Sequence, residues 1–306
     1  MNNEILRARA IAIGALALGF LLFVLAIATA ITGGGDDDGP AEPVATATTQ
    51  KKRPAKRTVR RPAARGFTPV PANASGAHKA PDEAVPVLAY NVINEPRPDT
   101  SNPEIWVPPE EFSAQMRYLA DQGFHAVTLR QVWAAWKEGG LLPSKPIVIS
   151  FNAGYHSVYA KALPVLRERG WLGTLFLQAS QTEEDLPASD VKGLVKAGWE
   201  LDATAQTGAD LPGQSDEQLE AEVAGGRRRV QEFAARVEFF AYPGGDFDER
   251  VSQAVEAAGF RGAVTLDEGL TSPEDSPYEL KRILVLNGEG EDGLAGKLEA
   301  AASDNA

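Results

Sequence analysis

The chain of 306 residues contains no cysteine and only three histidines, His78, His125 and His156. Without cysteine there is no disulfide, no zinc–thiolate cluster, no thiol nucleophile and no cysteine-linked lipid anchor. With so few histidines, a metal site rich in imidazole is also hard to build. Hydrophobic residues nevertheless make up 43% of the sequence, so the chain has ample material for a folded core.

One long apolar run lies near the N-terminus. It extends from Ala10 to Thr32, 23 residues, after Arg7 and Arg9 and before three aspartates at 36–38. About 20 apolar residues span a bilayer as a helix, and flanking arginines stay on the cytoplasmic side. The pattern predicts a cytoplasmic segment at 1–9, a transmembrane helix at 10–32 and an extracytoplasmic C-terminal domain on a bacterial-type cell membrane. A cleaved signal peptide is the alternative, although the run is longer than the usual signal core.

Residues 33–84 have the composition of a linker rich in proline, alanine and basic side chains. Eight Lys or Arg and no acid occur in the tract 51–65, whereas the whole chain has a net charge of -12. Such a tract is either an extended spacer or a contact for anionic lipid or an anionic wall polymer. The acidic remainder makes nucleic acid a poor partner.

From Val85 onward, short apolar runs alternate with amphipathic stretches, which predicts a β/α domain over 85–290. Periodicity alone does not distinguish a parallel barrel from a doubly wound sheet. Residues 291–306 have the composition of an acidic tail, with a short helix near Leu294 and Leu298. The predicted strands are 85–90, 126–129, 147–151, 173–178, 199–203, 239–242, 263–266 and 283–286, and the predicted helices are 109–122, 131–138, 158–169, 190–197, a long one opening at Ser215, and 251–258.

Several segments, in order, resemble the polysaccharide deacetylase family, or NodB homology domain, over about 85–286. The resemblance is carried by 85–90 (VPVLAY), 123–129 (GFHAVTL), 145–151 (KPIVISF), 198–201 (GWEL) and 239–243 (FFAYP). It implies a distorted (β/α) barrel whose site lies at the carboxyl ends of the strands.

The resemblance also implies a specific chemistry. Family members remove acetyl groups from N-acetylated sugars with a divalent metal held by one Asp and two His, an Asp as general base and a later His as general acid. Here Asn152 stands at the base position and Ala153 at the metal carboxylate, while Thr204 and Gly208 stand at the two histidines. Asn91 replaces a further usual His, Ala241 replaces an Arg found in many members, and no His follows Ile283.

These replacements predict a deacetylase-like domain that is catalytically inactive and needs no cofactor. With the apolar run at 10–32, they predict a membrane-anchored protein that binds cell-wall polysaccharide or a partner protein, for example an active homologue. The residues predicted for ligand binding are Tyr155, His156, Tyr242 and Asp246. Asp246 and Asp248 are also expected to cap the following helix. The alternative is a hydrolase that deacetylates N-acetylated polysaccharide through a rebuilt or atypical site. In that site a zinc-like metal would lie near His156, with Asp202, Asp246 and Asp248 at the same barrel mouth.

Overall fold

The computed structural model describes residues 77–80, 82–181 and 185–305. The predicted transmembrane helix at 10–32, the basic tract at 51–65 and most of the predicted linker lie outside these residues. Within the described part, no helix is both long enough and apolar enough to cross a membrane.

Most strands of the domain belong to one parallel sheet. The strands are β1 Val87–Tyr90, β2 Val92–Ile93, β3 Trp106–Val107, β4 His125–Val127, β5 Pro146–Ala153, β6 Thr174–Leu177, β7 Glu200–Ala203, β8 Phe239–Ala241, β9 Gly262–Val264 and β10 Ile283–Leu284. The order across the sheet is β10-β1-β5-β6-β7-β8-β9, with β4 beside β5, so that β1 pairs with both β5 and β10. A bridge from Val264 to Leu280 connects β9 to the segment that leads into β10.

The sheet therefore curls into a half-barrel of parallel strands, which agrees with the barrel-type α/β fold that the resemblance implies. The helices are α1 Pro109–Asp121, α2 Leu129–Glu138, α3 Leu163–Glu168 after a π-helical turn at Val158–Ala162, α4 Ala188–Lys196, α5 Asp216–Gln231, α6 Glu249–Ala257 and α7 Gly290–Asp304.

Alternation along the strands separates two hydrophobic cores. Leu175 and Leu177 of β6 belong to the outer core, between sheet and helices, whereas Phe176 belongs to the inner core inside the half-barrel. Helix α2 contributes Leu129 and Val132 to the inner core. Because successive side chains of a strand point to opposite faces, even-numbered residues of β5, β6 and β7 face the interior.

Local sequence signals account for the helix ends. Ser215 and Gln218 form the predicted capping box at the start of α5, each side chain accepting from the other residue's backbone N–H. Gly123, just after α1, has a φ of 81°, a conformation that costs a glycine little.

The predicted acidic tail is largely helical and packed. Helix α7 buries Leu294, Leu298 and Ala301. Gln115 of α1 donates to the carbonyl of Gly290, 3.2 Å away. The short helix predicted near Leu294 and Leu298 thus extends over Gly290–Asp304 and packs on the domain.

Candidate functional site

The carboxyl ends of β1, β5, β6 and β7 bring together the positions that the resemblance singled out. Parallel register sets Ala153 opposite Leu177, and Leu177 opposite Ala203. The residues at or just beyond this row form what is called here the carboxyl edge, defined as Asn91, Asn152, Ala153, Gln178, Thr204 and Gly208.

The side chains of the carboxyl edge do not fit a catalytic divalent metal. Ala153 has no ligating atom, and Thr204 contributes only a hydroxyl where an imidazole is expected. At Gly208, whose φ is 76°, a Cβ would stand 2.5 Å from Oε1 of Gln178, so Gln178 occupies the space of a side chain there. No cluster of three or more His, Cys, Asp or Glu suited to a metal occurs in the described residues.

Helix α5 positions the loop after β7. Gln206 donates its backbone N–H to the carbonyl of Glu222 at 3.0 Å. Thr207 donates its backbone N–H and its hydroxyl to the Glu222 carboxylate, at 2.8 and 2.7 Å. Gly226 lets the helix approach closely, because a Cβ there would lie 2.4 Å from the Thr204 carbonyl oxygen. The loop with Thr204 and Gly208, where the resemblance expects two histidines, is thus tied to α5 by hydrogen bonds of Gln206 and Thr207 to Glu222.

Arg282 lies directly beneath the carboxyl edge, and sequence reasoning missed it. The residue is 0% exposed, and its guanidinium stands over the Phe176 ring, 5.5 Å from the centroid. Nη1 donates to Oδ1 of Asn152 at 2.8 Å, and Nε donates to the Thr265 carbonyl at 2.7 Å. Burial lowers the pKa of Arg282 to about 9, which still leaves a cation at neutral pH. The sequence signal for Arg282 is a basic residue directly before the short apolar strand β10, at a position whose side chain faces the interior.

Asn152 continues this network to the surface of the domain. Its Nδ2 donates to Oδ1 of Asn91 at 3.3 Å, and both asparagines are partly exposed. Gln178, also missed from the sequence, donates its backbone N–H to the carbonyl of Ala153 at 2.8 Å. Asn152, at the position where the resemblance expects a general base, is thus an amide that links the buried Arg282 to Asn91.

The aromatic residues predicted to bind ligand have different environments. Tyr242 is 2% exposed, stacks on Phe247 with ring centroids 4.6 Å apart, and donates its hydroxyl to the Tyr278 carbonyl. Burial, with Glu279 and Tyr278 nearby, raises its pKa. Tyr242 is therefore a packing residue whose ring does not face solvent. Tyr155 is partly exposed and follows β5 by two residues.

The polar residues predicted to bind ligand are exposed. Nδ1 of His156 lies 2.7 Å from Oδ2 of Asp190, at the start of the helical turn after β5. Asp248 caps α6 by accepting from the backbone N–H of Val251, as expected, whereas Asp246 precedes that cap and is exposed.

The amino ends of the strands carry a separate, charged cluster of Arg130, Glu200, Asp202 and Glu238, called here the floor cluster. The backbone N–H of Arg130 donates to both Glu200 carboxylate oxygens at 3.1 Å. Burial acts to lower the pKa of Arg130, but Glu200, Asp202 and Glu238 together raise it. The cluster joins the start of α2 to the first residues of β7 and the residue before β8.

Asp202 belongs to this floor cluster and not to the barrel mouth where the sequence suggested it. Its Oδ1 accepts from the backbone N–H groups of Glu238 and Phe239 at 2.7 and 3.1 Å, whereas the buried Oδ2 has no hydrogen-bond partner. Burial and the neighbouring Glu200 raise the pKa of Asp202 well above its usual value. Asp202 is therefore not available to rebuild a metal site at the carboxyl edge.

Comparison with known proteins agrees with this architecture. Residues 140–263 match the model of the polysaccharide deacetylase family. Residues 140–263 therefore form a domain of the polysaccharide deacetylase type. A putative polysaccharide deacetylase of Bacillus subtilis, YxkH, is 26% identical over 207 residues, which are 67% of this chain and 72% of that protein. The poly-beta-1,6-N-acetyl-D-glucosamine N-deacetylase of Staphylococcus aureus is 20% identical over 192 residues, 57% of this chain and 66% of that protein.

Solved deacetylase structures share the fold. Deacetylase PplD of Streptococcus pyogenes, in complex with acetate, superposes with a TM-score of 0.65 at 21% identity and covers 71% of this chain and 98% of that one. IcaB from Ammonifex degensii gives a TM-score of 0.59 at 23% identity, covering 70% and 97%. The half-barrel is therefore the fold of this family.

Proposed function

We propose that this protein is a polysaccharide-binding member of the deacetylase family that does not use the family's metal chemistry. The observation that carries the proposal is the composition of the carboxyl edge, where Asn152, Ala153 and Gly208 provide neither base nor ligand. A metal-bound water needs carboxylate or imidazole ligands to hold the ion, and a general base needs a protonatable group. The Asn152 amide is not a base at neutral pH, and its acceptor oxygen Oδ1 already accepts from Arg282.

The ligand class follows from the relatives. Several curated relatives are named as deacetylases of poly-beta-1,6-N-acetyl-D-glucosamine. A domain that keeps this fold and has lost the catalytic groups is suited to bind such a polymer without cleaving its acetamide. Tyr155 is the partly exposed aromatic beside the carboxyl edge on which a sugar face can pack.

The test uses the full chain purified in mild detergent. We expect retention on insoluble N-acetylglucosamine polymer, no acetate release and no stoichiometric zinc, cobalt or nickel by elemental analysis. Tyr155→Ala should weaken retention. Trp133→Leu, which removes an aromatic ring on α2 at the opposite end of the half-barrel, should leave retention unchanged. Stoichiometric metal with acetate release would establish the alternative, a deacetylase acting through an atypical site.

A repair variant tests the assignment of the edge positions. Because Gln178 fills the space beside Gly208, restoring the ligands requires its truncation as well. We expect the repaired chain to bind zinc where the parent does not, and failure to bind zinc despite folding would contradict the assignment. The repair comprises Asn152→Asp, Ala153→Asp, Thr204→His, Gly208→His and Gln178→Ala.

Membrane attachment through 10–32 is part of the same proposal and rests on the apolar run between arginines and aspartates. In cells, the full chain should stay in the membrane fraction after alkaline extraction, and the domain should be digested by protease added outside. Release of a shortened chain would instead support the cleaved signal peptide.

A further inference from the structure

We propose that the carboxyl edge is a binding site for a carboxylate-bearing sugar, with Arg282 supplying the positive charge and Asn152 and Asn91 supplying hydrogen-bond donors. This inference rests on the proposed polysaccharide-binding function and adds that the bound polymer carries carboxylate-bearing sugars beside N-acetylglucosamine.

The first argument is the charge of the site. Arg282 is fully buried, yet the hydrogen-bond partners of its guanidinium are neutral oxygens, on Ser150, Asn152 and Thr265. Among the described residues, no carboxylate pairs with it. Burying a cation without a counterion costs free energy. An anion bound at the carboxyl edge would be attracted to Arg282 through protein and not through screening water.

Two further carboxylates of the domain, Asp202 and Glu222, have hydrogen-bond donors other than Arg282. Asp202, on the same inward face of the half-barrel, accepts from the backbone of Glu238 and Phe239 at the floor. Both carboxylate oxygens of Glu222 accept hydrogen bonds from Thr207. The carboxyl edge thus lies above Arg282, a cation without a paired carboxylate among the described residues. It also lacks the two carboxylates that the resemblance places at Asn152 and Ala153.

The second argument is the orientation of the amides. A guanidinium only donates, so the 2.8 Å contact fixes Oδ1 of Asn152 towards Arg282 and turns Nδ2 towards the edge. Nδ2 uses one hydrogen for Oδ1 of Asn91, at 3.3 Å, which leaves its second hydrogen and the Asn91 amide N–H groups as donors. Both residues are partly exposed. Donors in front of a buried cation select an anionic acceptor.

The third argument is space. Ala153 is a partly exposed residue with a φ of 69°, an unusual conformation for a side chain other than glycine. The resemblance places a carboxylate at this position, so truncation to a methyl group removes a planar group of that size. A sugar carboxylate would return a group of the same shape and charge beside the same strand end.

The experiment compares D-glucuronate with D-glucose, two sugars that differ in the carboxylate, by ligand-observed NMR titration of the full chain. We expect glucuronate to bind at least about tenfold more tightly, as charge-assisted hydrogen bonds are stronger than neutral ones. Asn152→Asp should abolish this preference and raise the melting temperature, because the new carboxylate pairs with Arg282 from within. Arg282→Gln should also abolish the preference.

Asn94→Asp is the matched control. It makes the same change beside another cation, since Oδ1 of Asn94 accepts from Nζ of Lys161 at 2.6 Å, and it should leave the preference unchanged. Equal binding of glucose and glucuronate by the parent, or an undiminished preference in a folded Asn152→Asp chain, would overturn the inference. Equally tight binding of inorganic phosphate at the same site would overturn the carboxylate assignment. Retention on the neutral N-acetylglucosamine polymer tests the proposed function separately. A failure of the carboxylate preference can therefore be distinguished from a failure of polysaccharide binding.

Discussion

The two ends of the half-barrel treat charge in opposite ways. At the floor, Arg130 faces Glu200 and Glu238, and the carboxylates and the cation compensate one another inside the protein. At the carboxyl edge, the residues are amides, hydroxyls and an alanine above an arginine without a carboxylate. This sequence pairs its buried charges where they join strands to a helix. At the carboxyl edge, where the resemblance places the family's catalytic groups, the buried cation Arg282 has only neutral hydrogen-bond partners.

The largest effect that tests this contrast is expected at the floor. Arg130→Met removes the cation beside Glu200, whose side chain is 0% exposed, and leaves a buried carboxylate unpaired. Breaking a buried pair in this way costs about 3–5 kcal/mol in the free energy of unfolding, measured by urea denaturation. Arg117→Met removes an exposed partner of Glu291 and should cost less than about 1 kcal/mol. Equal losses would mean that the floor cluster contributes no more than a surface pair.

A smaller loss is expected where the edge loop packs on α5. In Gly226→Ala the new methyl group meets the backbone carbonyl of Thr204, which cannot turn away as a side chain would. We expect a loss of about 1–3 kcal/mol, the usual cost of overpacking, in the same urea measurement. Gly296 in α7 has open space around it, so Gly296→Ala should instead stabilise by about 0.5–1 kcal/mol. A stabilised Gly226→Ala chain would show that the loop is not seated on α5.

The smallest predicted effect depends on pH. The pKa of Asp202 is raised in the folded protein by burial and by Glu200, so the fold favours its protonated form. Its contribution to stability is full below the unfolded pKa, near 3.8, and is lost as the pH rises through the raised folded pKa. Asp202→Asn keeps the acceptor for the Glu238 and Phe239 N–H groups and never ionises. Its stability should match that of the parent near pH 3.5 and exceed it at pH 7.5, by more than the roughly 0.5 kcal/mol that an exposed substitution produces.

The control for this prediction is Asp216→Asn, at an exposed residue paired with Arg250. Its effect on unfolding should stay within about 0.5 kcal/mol at both pH values. If Asp202→Asn loses stability relative to the parent between pH 3.5 and pH 7.5, the sign is reversed and the raised pKa of Asp202 is contradicted.

Much of the fold was accessible from local patterns. The predicted strand at 147–151 lies within β5, and the helix predicted from Ser215 begins with the expected capping box. These features depend on periodicity and on neighbours within a few residues. The π-helical turn at 158–162, the short β2–β3 pair and the packing of α7 were missed, since none of them has a strong local signal.

Part of the candidate site was likewise predictable from the sequence, and part was not. The resemblance identified Asn152, Ala153, Thr204 and Gly208, and the sheet register brings these positions to one edge. It did not identify Gln178 or Arg282 as their neighbours, and it placed Tyr242 among ligand-binding aromatics although its ring is buried. Exposure and side-chain direction depend on which elements cover a strand, and sequence spacing does not contain that information.

By itself, the sequence determined the order of strands and helices and the absence of the expected carboxylate and imidazoles, because both are properties of residue type and local period. Only the tertiary structure decided what stands in their place. Arg282 and Asn152 are 130 residues apart, and the curled sheet brings them within 2.8 Å. Contacts of that separation arise from chain topology, which is why the buried cation beneath the edge became visible only in the folded protein.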